Sequence, residues 1–217
     1  MNRSKSDLHG PGRTLCLVLS AALGLVLAPM ASAAPPTPVF GPEIDGYAEY
    51  QPQSTCDPAA KPGVAEFKDL LVAAYGERHW GIERACDQGG TSEHKEGRAL
   101  DYAFDVNDAT QRAQADEVLG WLLATDPHGN PHALVRRFGL MYIIWNNQIW
   151  GAYDQRWVQY NGCSGDSGNP TACHRDHIHF SFGWPGARKE TSWWNPPSLA
   201  RVDPLGRRHD RTDPPQP

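Results

Sequence analysis

The sequence lacks several features that would fix its class at once. Its five cysteines include no C-x2-C pair, which argues against a cysteine-cornered zinc site. No phosphate-cradling glycine loop is present. There is no basic excess: 20 Lys and Arg face 25 Asp and Glu, a formal charge of −5, the wrong balance for a nucleic-acid binder. No internal repeat is visible, and after residue 33 no apolar run is long enough to span a bilayer. What is present is a globular composition, 40% hydrophobic and 21% charged, in a chain long enough for one domain of ordinary size. Gly 21 and Pro 19 imply many loops, and the eight Trp serve either as core or as a binding platform.

Residues 1–33 read as a secretion signal. Arg3, Lys5 and Arg13 give a positive start, residues 15–27 are apolar, and Ala31-Ser32-Ala33 is a small-x-small cleavage site. Cys16 has no lipobox around it. The expectation is a secreted, extracellular chain with no membrane association after cleavage. Four cysteines then remain: Cys56, Cys86, Cys163 and Cys173. An even count in an exported chain implies two disulfides. Of the possible pairings, Cys56–Cys86 and Cys163–Cys173 are favoured, because the second brackets a Gly/Ser/Asn/Pro-rich loop that needs closing.

Residues 34–48 read as a Pro-rich linker, 49–186 as the folded domain, and 187–217 as a polar, Pro-rich tail. A helix is predicted over Pro62–Tyr75, with Pro62 at its first position, Val64, Phe67, Leu70, Leu71 and Ala74 on one face, and Gly76 at its end. A strand is predicted over 80–86. Residues 99–106 alternate, with Leu100, Tyr102, Phe104 and Val106 on one side and Asp101, Ala103 and Asp105 on the other. A helix capped by Asp108 is expected over 109–124, and a shorter one over 131–138. Asn146-Asn147 reads as a hairpin turn between strands at 141–145 and 148–150. Residues 176–182 alternate again, His177, His179 and Ser181 against Ile178, Phe180 and Phe182. Short strands mixed with a few helices imply a small α+β fold with a mainly antiparallel sheet and flanking helices.

Two segments carry chemistry: Ser92-Glu93-His94-Lys95-Glu96-Gly97-Arg98-Ala99-Leu100-Asp101 and His174-Arg175-Asp176-His177-Ile178-His179. The first sets His94 on a glycine-flanked turn and Asp101 on the polar face of the next strand. The second sets His177 and His179 side by side, since residues two apart on a strand share a face. Nitrogen and carboxylate donors suit Zn²⁺, and three protein ligands leave a fourth position for water. A nearby base is also needed, and Asp176 or His177 supplies it. Taken one at a time, each of these residues has an ordinary alternative as a cap, a core histidine or a polar strand face. Two such segments together make those alternatives much weaker.

Ser92-x-His94-x-x-Gly97-x-Ala99-x-Asp101 resembles the first signature of the D-Ala-D-Ala carboxypeptidase and D,D-dipeptidase family. His177-x-His179 resembles the closing signature of the wider group that joins lysostaphin-type enzymes, these carboxypeptidases and Hedgehog domains. His174-x-Asp176-His177-x-His179 is especially similar to penicillin-insensitive murein endopeptidases, and the cysteine-framed version is similar to a secreted actinobacterial branch. The resemblance implies a Hedgehog/D-Ala-D-Ala-peptidase-like fold. It implies His94, Asp101 and His179 as zinc ligands and His177 as the active-site histidine. Asp176 stands where the carboxypeptidases carry a catalytic Glu, one methylene longer. Arg84 resembles the dipeptidase Arg that faces the scissile carbonyl, where a guanidinium stabilises an oxyanion. His174 matches an accessory histidine, and Ser92 either binds substrate or caps its turn. The function implied is cleavage of amide bonds in peptidoglycan or muropeptide substrates at the cell wall. The alternative is a zinc-bearing wall-binding module of the same fold that does not hydrolyse.

Trp145, Trp150, Trp157 and Trp184 are candidates for a groove or for core. His128, His132 and His209 read as surface residues. Gly165-Asp166-Ser167-Gly168 echoes a serine-protease nucleophile loop, but no partner histidine stands in a matching context, and a Gly/Ser turn explains it.

Overall fold

The computed structural model describes residues 34–163 and 169–197. The expected signal segment with Cys16, the Gly165–Gly168 echo, and the tail from residue 198 with His209 lie outside the described residues. In chain order the elements are α1 (Pro62–Tyr75), β1 (His79–Gly81), a 3₁₀ turn (Glu93–Glu96), β2 (Ala99–Ala103), α2 (Ala109–Leu123), α3 (Ala133–Phe138), β3 (Leu140–Trp145), β4 (Gln148–Gly151), β5 (Arg156–Gln159), β6 (His177–Phe182) and α4 (Trp184–Ala187). The strands form one sheet in the order β1-β2-β6-β3-β4-β5, with every neighbouring pair antiparallel. The fold is α+β.

Alternation divides β2 and β6 between two environments. Leu100, Tyr102, Phe104, Ile178, Phe180 and Phe182 join Val64, Phe67 and Leu71 of α1, Val118 and Leu122 of α2, and Phe138 of α3 in one core. Phe67 is its hub, edge-on to Phe138, Phe180 and Phe182 at centroid distances of 4.9, 5.1 and 5.4 Å. These are favourable aromatic geometries. The opposite face carries Asp101, His177 and His179, with Asp101 paired directly with His179 and Ala103 with His177.

Local chemistry explains the element ends. Asp108 caps α2 by accepting from the backbone N–H groups of Thr110 and Gln111. Asn146 and Asn147 hold φ of 45° and 65°, the left-handed pair that a two-residue hairpin turn requires. Both predicted disulfides form: Cys56–Cys86 with Cα atoms 5.9 Å apart and Cys163–Cys173 at 4.6 Å.

Several expectations need correction. The strand predicted over 80–86 ends at Gly81. Beyond it the Ile82 carbonyl and the Arg84 N–H turn to His94, and Cys86 is tied to Cys56. The chain there lines the 3₁₀ turn and leaves the sheet. β5 has no apolar alternation to announce it and is largely exposed. The β2 ladder ends at Ala103, yet Phe104 and Val106 still donate to the carbonyls of Asp176 and Arg175 at 3.1 and 2.8 Å. His132 is half-buried. Its ring meets Trp150 edge-on at 5.1 Å and its Nδ1 lies 3.0 Å from the Tyr47 hydroxyl, so burial pushes its pKa below the usual imidazole value. Both flanks of the 49–186 span also pack on the core: Phe40 and Tyr47 before it, Trp193 and Trp194 after it.

The buried ion pair Arg98–Glu96 anchors the 3₁₀ turn to the segment before α1. Neither side chain is exposed, and Arg98 Nε donates to Glu96 Oε2 at 2.7 Å. Glu96 Oε1 accepts from the N–H of Ser54, the N–H of Thr55 and the Thr55 hydroxyl, each at 2.9 Å. Burial would raise the Glu96 pKa, but these donors hold it below the ordinary carboxylate value. Removing one partner strands the other charge, a cost of about 3–5 kcal/mol. Glu96→Gln is therefore expected to lower the urea unfolding free energy by roughly that amount. A variant as stable as the parent would contradict this role.

Candidate metal centre

The 3₁₀ turn is built to aim His94 inward. Ser92 opens it, its hydroxyl accepting from the His94 N–H at 3.4 Å. Gly97 closes it at φ 63°, and a Cβ there would meet the Ala59 carbonyl oxygen at 2.0 Å. Only glycine fits both the left-handed backbone and that approach. His94 is 3% exposed. Its Nδ1 donates to the Ile82 carbonyl at 2.8 Å. A carbonyl can only accept, so the ring proton sits on Nδ1 and Nε2 carries a lone pair.

That lone pair points at another acceptor. His94 Nε2 lies 3.2 Å from Asp101 Oδ2, and it is buried without a hydrogen-bond partner. Asp101 Oδ1 lies 2.9 Å from His179 Nδ1 and 3.6 Å from His177 Nε2. Donor atoms of His94, Asp101 and His179 all lie within 4.8 Å of one another. Ligands about 2.1 Å from a tetrahedral zinc ion stand roughly 3.4 Å apart. The nitrogen–oxygen set and its spacing therefore fit a zinc ion held by His94, Asp101 and His179.

The electrostatics agree with that fit. Burial alone would raise the Asp101 pKa, but the imidazoles of His179 and His94 beside it hold it well below the carboxylate range. Burial pushes His179 down, with Asp101 opposing it in part. Burial, reinforced by His179 and His177, pushes His174 down to about 3. The shifts of the first two favour the states that metal ligands need, an ionised Asp101 and a neutral His179.

The other predicted residues take distinct places. Asp176 Oδ1 lies 2.8 Å from His177 Nδ1. His174, in a left-handed conformation, brings its ring to 4.6 Å from that of His177 and 5.7 Å from that of His179. Ser92 caps the turn. Arg84 donates its backbone N–H to the His94 carbonyl at 3.2 Å. Its charge lowers the pKa of Tyr160 against a larger rise from burial, and Tyr160 lies edge-on to His174 at 5.0 Å. Among the described residues, no hydrogen bond or ion pair joins the Arg84 guanidinium to the cluster. Trp145 and Trp150 are buried in the core. Trp184 lies under Arg98 and Arg188, and Trp157 is half-buried against the core.

Two residues of the site had not been singled out. Tyr142 stacks on His179, with centroids 5.5 Å apart and planes 14° from parallel. Its hydroxyl donates to buried Glu93. Burial, then the Glu93 charge, raises the Tyr142 pKa, so it remains a donor. Glu93 sits inside the first motif, beside His94. Tyr142 reaches the site through a register shift between Leu140 and Tyr142, which sets it opposite Ser181. A bulge of this kind leaves no mark in hydrophobic periodicity.

A family model described as VldE, C-terminal domain, matches residues 56–175, more than half of the chain. The match includes His94 and Asp101 and stops one residue short of Asp176. No curated protein and no solved structure matches.

Outer-shell partners of a metal site cost about 10–100-fold in affinity when removed, and true ligands cost more. Zinc titration of the full chain is expected to show His94→Ala, Asp101→Asn and His179→Ala each losing more than ~100-fold in affinity, with His177→Ala staying within ~10-fold. Equal losses at all four positions would contradict this division of roles.

Proposed function

The chain belongs to the VldE C-terminal domain family, and from the geometry of its His/Asp cluster we propose that it is an exported zinc hydrolase that cleaves amide bonds in peptidoglycan peptides. The observation that carries this reading is the buried His94 Nε2 lone pair, 3.2 Å from the ionised Asp101 carboxylate. Two facing acceptors of this kind call for a cation. His94, Asp101 and His179 would hold it. A bound zinc ion supplies Lewis acidity and brings a water molecule close to ionisation at neutral pH.

The remaining steps belong to the chain's own side chains. Asp176 accepts a hydrogen bond from His177 Nδ1 at 2.8 Å, which fixes the ring with Nε2 toward the centre. His177 Nε2 faces the centre, 3.6 Å from Asp101 Oδ1, and takes the proton of the attacking water. It then returns that proton to the leaving amine. Asp176 is the orienting group in this account and His177 the base. Arg84, on the Tyr160 side of the cluster, is the candidate to steady the oxyanion. Tyr142 and Glu93 hold the His179 ring, as outer-shell partners do.

Export is supported by the two disulfides, a feature of oxidising compartments. No helix among the described residues is long and apolar enough to cross a membrane.

The test is digestion of purified cell-wall sacculi by the zinc-loaded chain, read by mass spectrometry of the released muropeptides. New amino and carboxyl termini are expected, and His177→Ala should slow their release by about 10²–10⁴-fold while keeping its zinc. Co-sedimentation with sacculi and no new termini would instead identify a zinc-bearing binding module.

A further inference from the structure

The Asp176 carboxylate uses both of its oxygens. Oδ1 meets His177 Nδ1 at 2.8 Å, and Oδ2 accepts from the Thr171 hydroxyl at 2.6 Å. We infer that Thr171 is a positioning residue: it locks the Asp176 carboxylate and, through it, the Nδ1–H tautomer of His177. This rests on the reading of His177 as the base.

The local structure explains why a threonine at 171 can do this. Residues 169–175 form a tight turn of their own. The Ala172 N–H bonds Asn169 Oδ1 at 3.1 Å, the His174 N–H bonds the Thr171 carbonyl at 3.1 Å, and the Arg175 N–H bonds the Pro170 carbonyl at 2.8 Å. The turn is pinned to the β3–β4 hairpin, where the N–H groups of Asn146 and Asn147 donate to the carbonyls of His174 and Cys173 at 2.7 and 3.0 Å. The Asp176 backbone is held separately, its carbonyl accepting from Phe104. Backbone placement therefore leaves only the side-chain torsions of Asp176 free.

That freedom matters because the Asp176 side chain is 22% exposed. Water competes for its oxygens, and a carboxylate held by one contact samples other rotamers. A charge-assisted bond from a hydroxyl on a fixed turn selects one of them. The carboxylate can only accept, so the selected rotamer places the ring proton on His177 Nδ1 and directs the Nε2 lone pair toward the centre. A different Asp176 rotamer releases Nδ1 and lets the ring proton move to Nε2, where His177 can no longer take a proton.

The experiment compares the zinc-loaded full chain with Thr171→Ser, Thr171→Val and Thr171→Ala, all ¹⁵N-labelled at histidine. Long-range ¹H–¹⁵N spectra report which nitrogen of His177 is protonated. The parent and Thr171→Ser should show the Nδ1–H form alone, and the Val and Ala variants a mixture with the Nε2–H form, at unchanged zinc stoichiometry. On sacculi, Val should lower the turnover at saturating substrate about 10-fold with KM unchanged, and Ser should restore it. A Val variant with the parent's ring spectrum, or a parent already in the Nε2–H form, overturns the inference. If sacculi are not cleaved by the parent, the hydrolase reading fails, and the tautomer comparison still decides the role of Thr171.

Discussion

A single half-buried carboxylate organises this molecule. Asp101 sits on the face of β2 opposite the core with His94, His177 and His179 around it, and it stays ionised despite its partial burial. A lone ion in such a place costs several kcal/mol of lost hydration. The cost is offset only if positive charge or donated protons surround it. His94 brings no proton to Asp101, because its ring proton goes to Ile82. His179 lies within hydrogen-bond distance on the other side at 2.9 Å, and in the proposed reading a cation between Asp101 and His94 supplies the remaining compensation.

Three separate devices meet that demand. The 3₁₀ turn, closed by Gly97 and anchored by the Arg98–Glu96 pair, aims His94. Antiparallel pairing sets Asp101 against His179 without any loop between them. The bulge in β3 brings Tyr142 against His179, where Glu93 of the 3₁₀ turn accepts from its hydroxyl. Rigid sheet and turn carry the proposed ligands, and the irregular 169–175 turn carries Thr171, which bonds the Asp176 carboxylate beside the proposed base. Rigid placement of ligands and base is what proton transfer at a metal centre needs.

Much of this was legible in the order of residues. Period 3.6 gave α1 with its observed ends, Asp108 marked the start of α2, and two asparagines marked the hairpin. Period 2 put Asp101, His177 and His179 on polar strand faces, and the resemblance of the two motifs implied that His94, Asp101 and His179 belong to one site. The illegible parts have physical reasons. The strand expected over 80–86 fails because Ile82 and Arg84 spend their backbone bonds on His94, a contact no local pattern encodes. β5 is an exposed strand with no apolar face. Tyr142 depends on a register shift, and Glu93 is a buried carboxyl whose partner Tyr142 lies on another element. The flanks read as linker and tail because proline and polar residues dominate them, yet Phe40, Trp193 and Trp194 supply enough apolar surface to bind them to the core. A few large aromatics outweigh an otherwise polar segment.

The measurement that bears most directly on the central claim is anomalous diffraction at the zinc absorption edge, from crystals of the full chain grown with Zn²⁺. The account predicts one strong peak within bonding distance, about 2.0–2.2 Å, of His94 Nε2, an Asp101 oxygen and a His179 ring nitrogen, with His177 outside that shell. A peak elsewhere, or a cluster with no peak while zinc is bound at other sites, would contradict it.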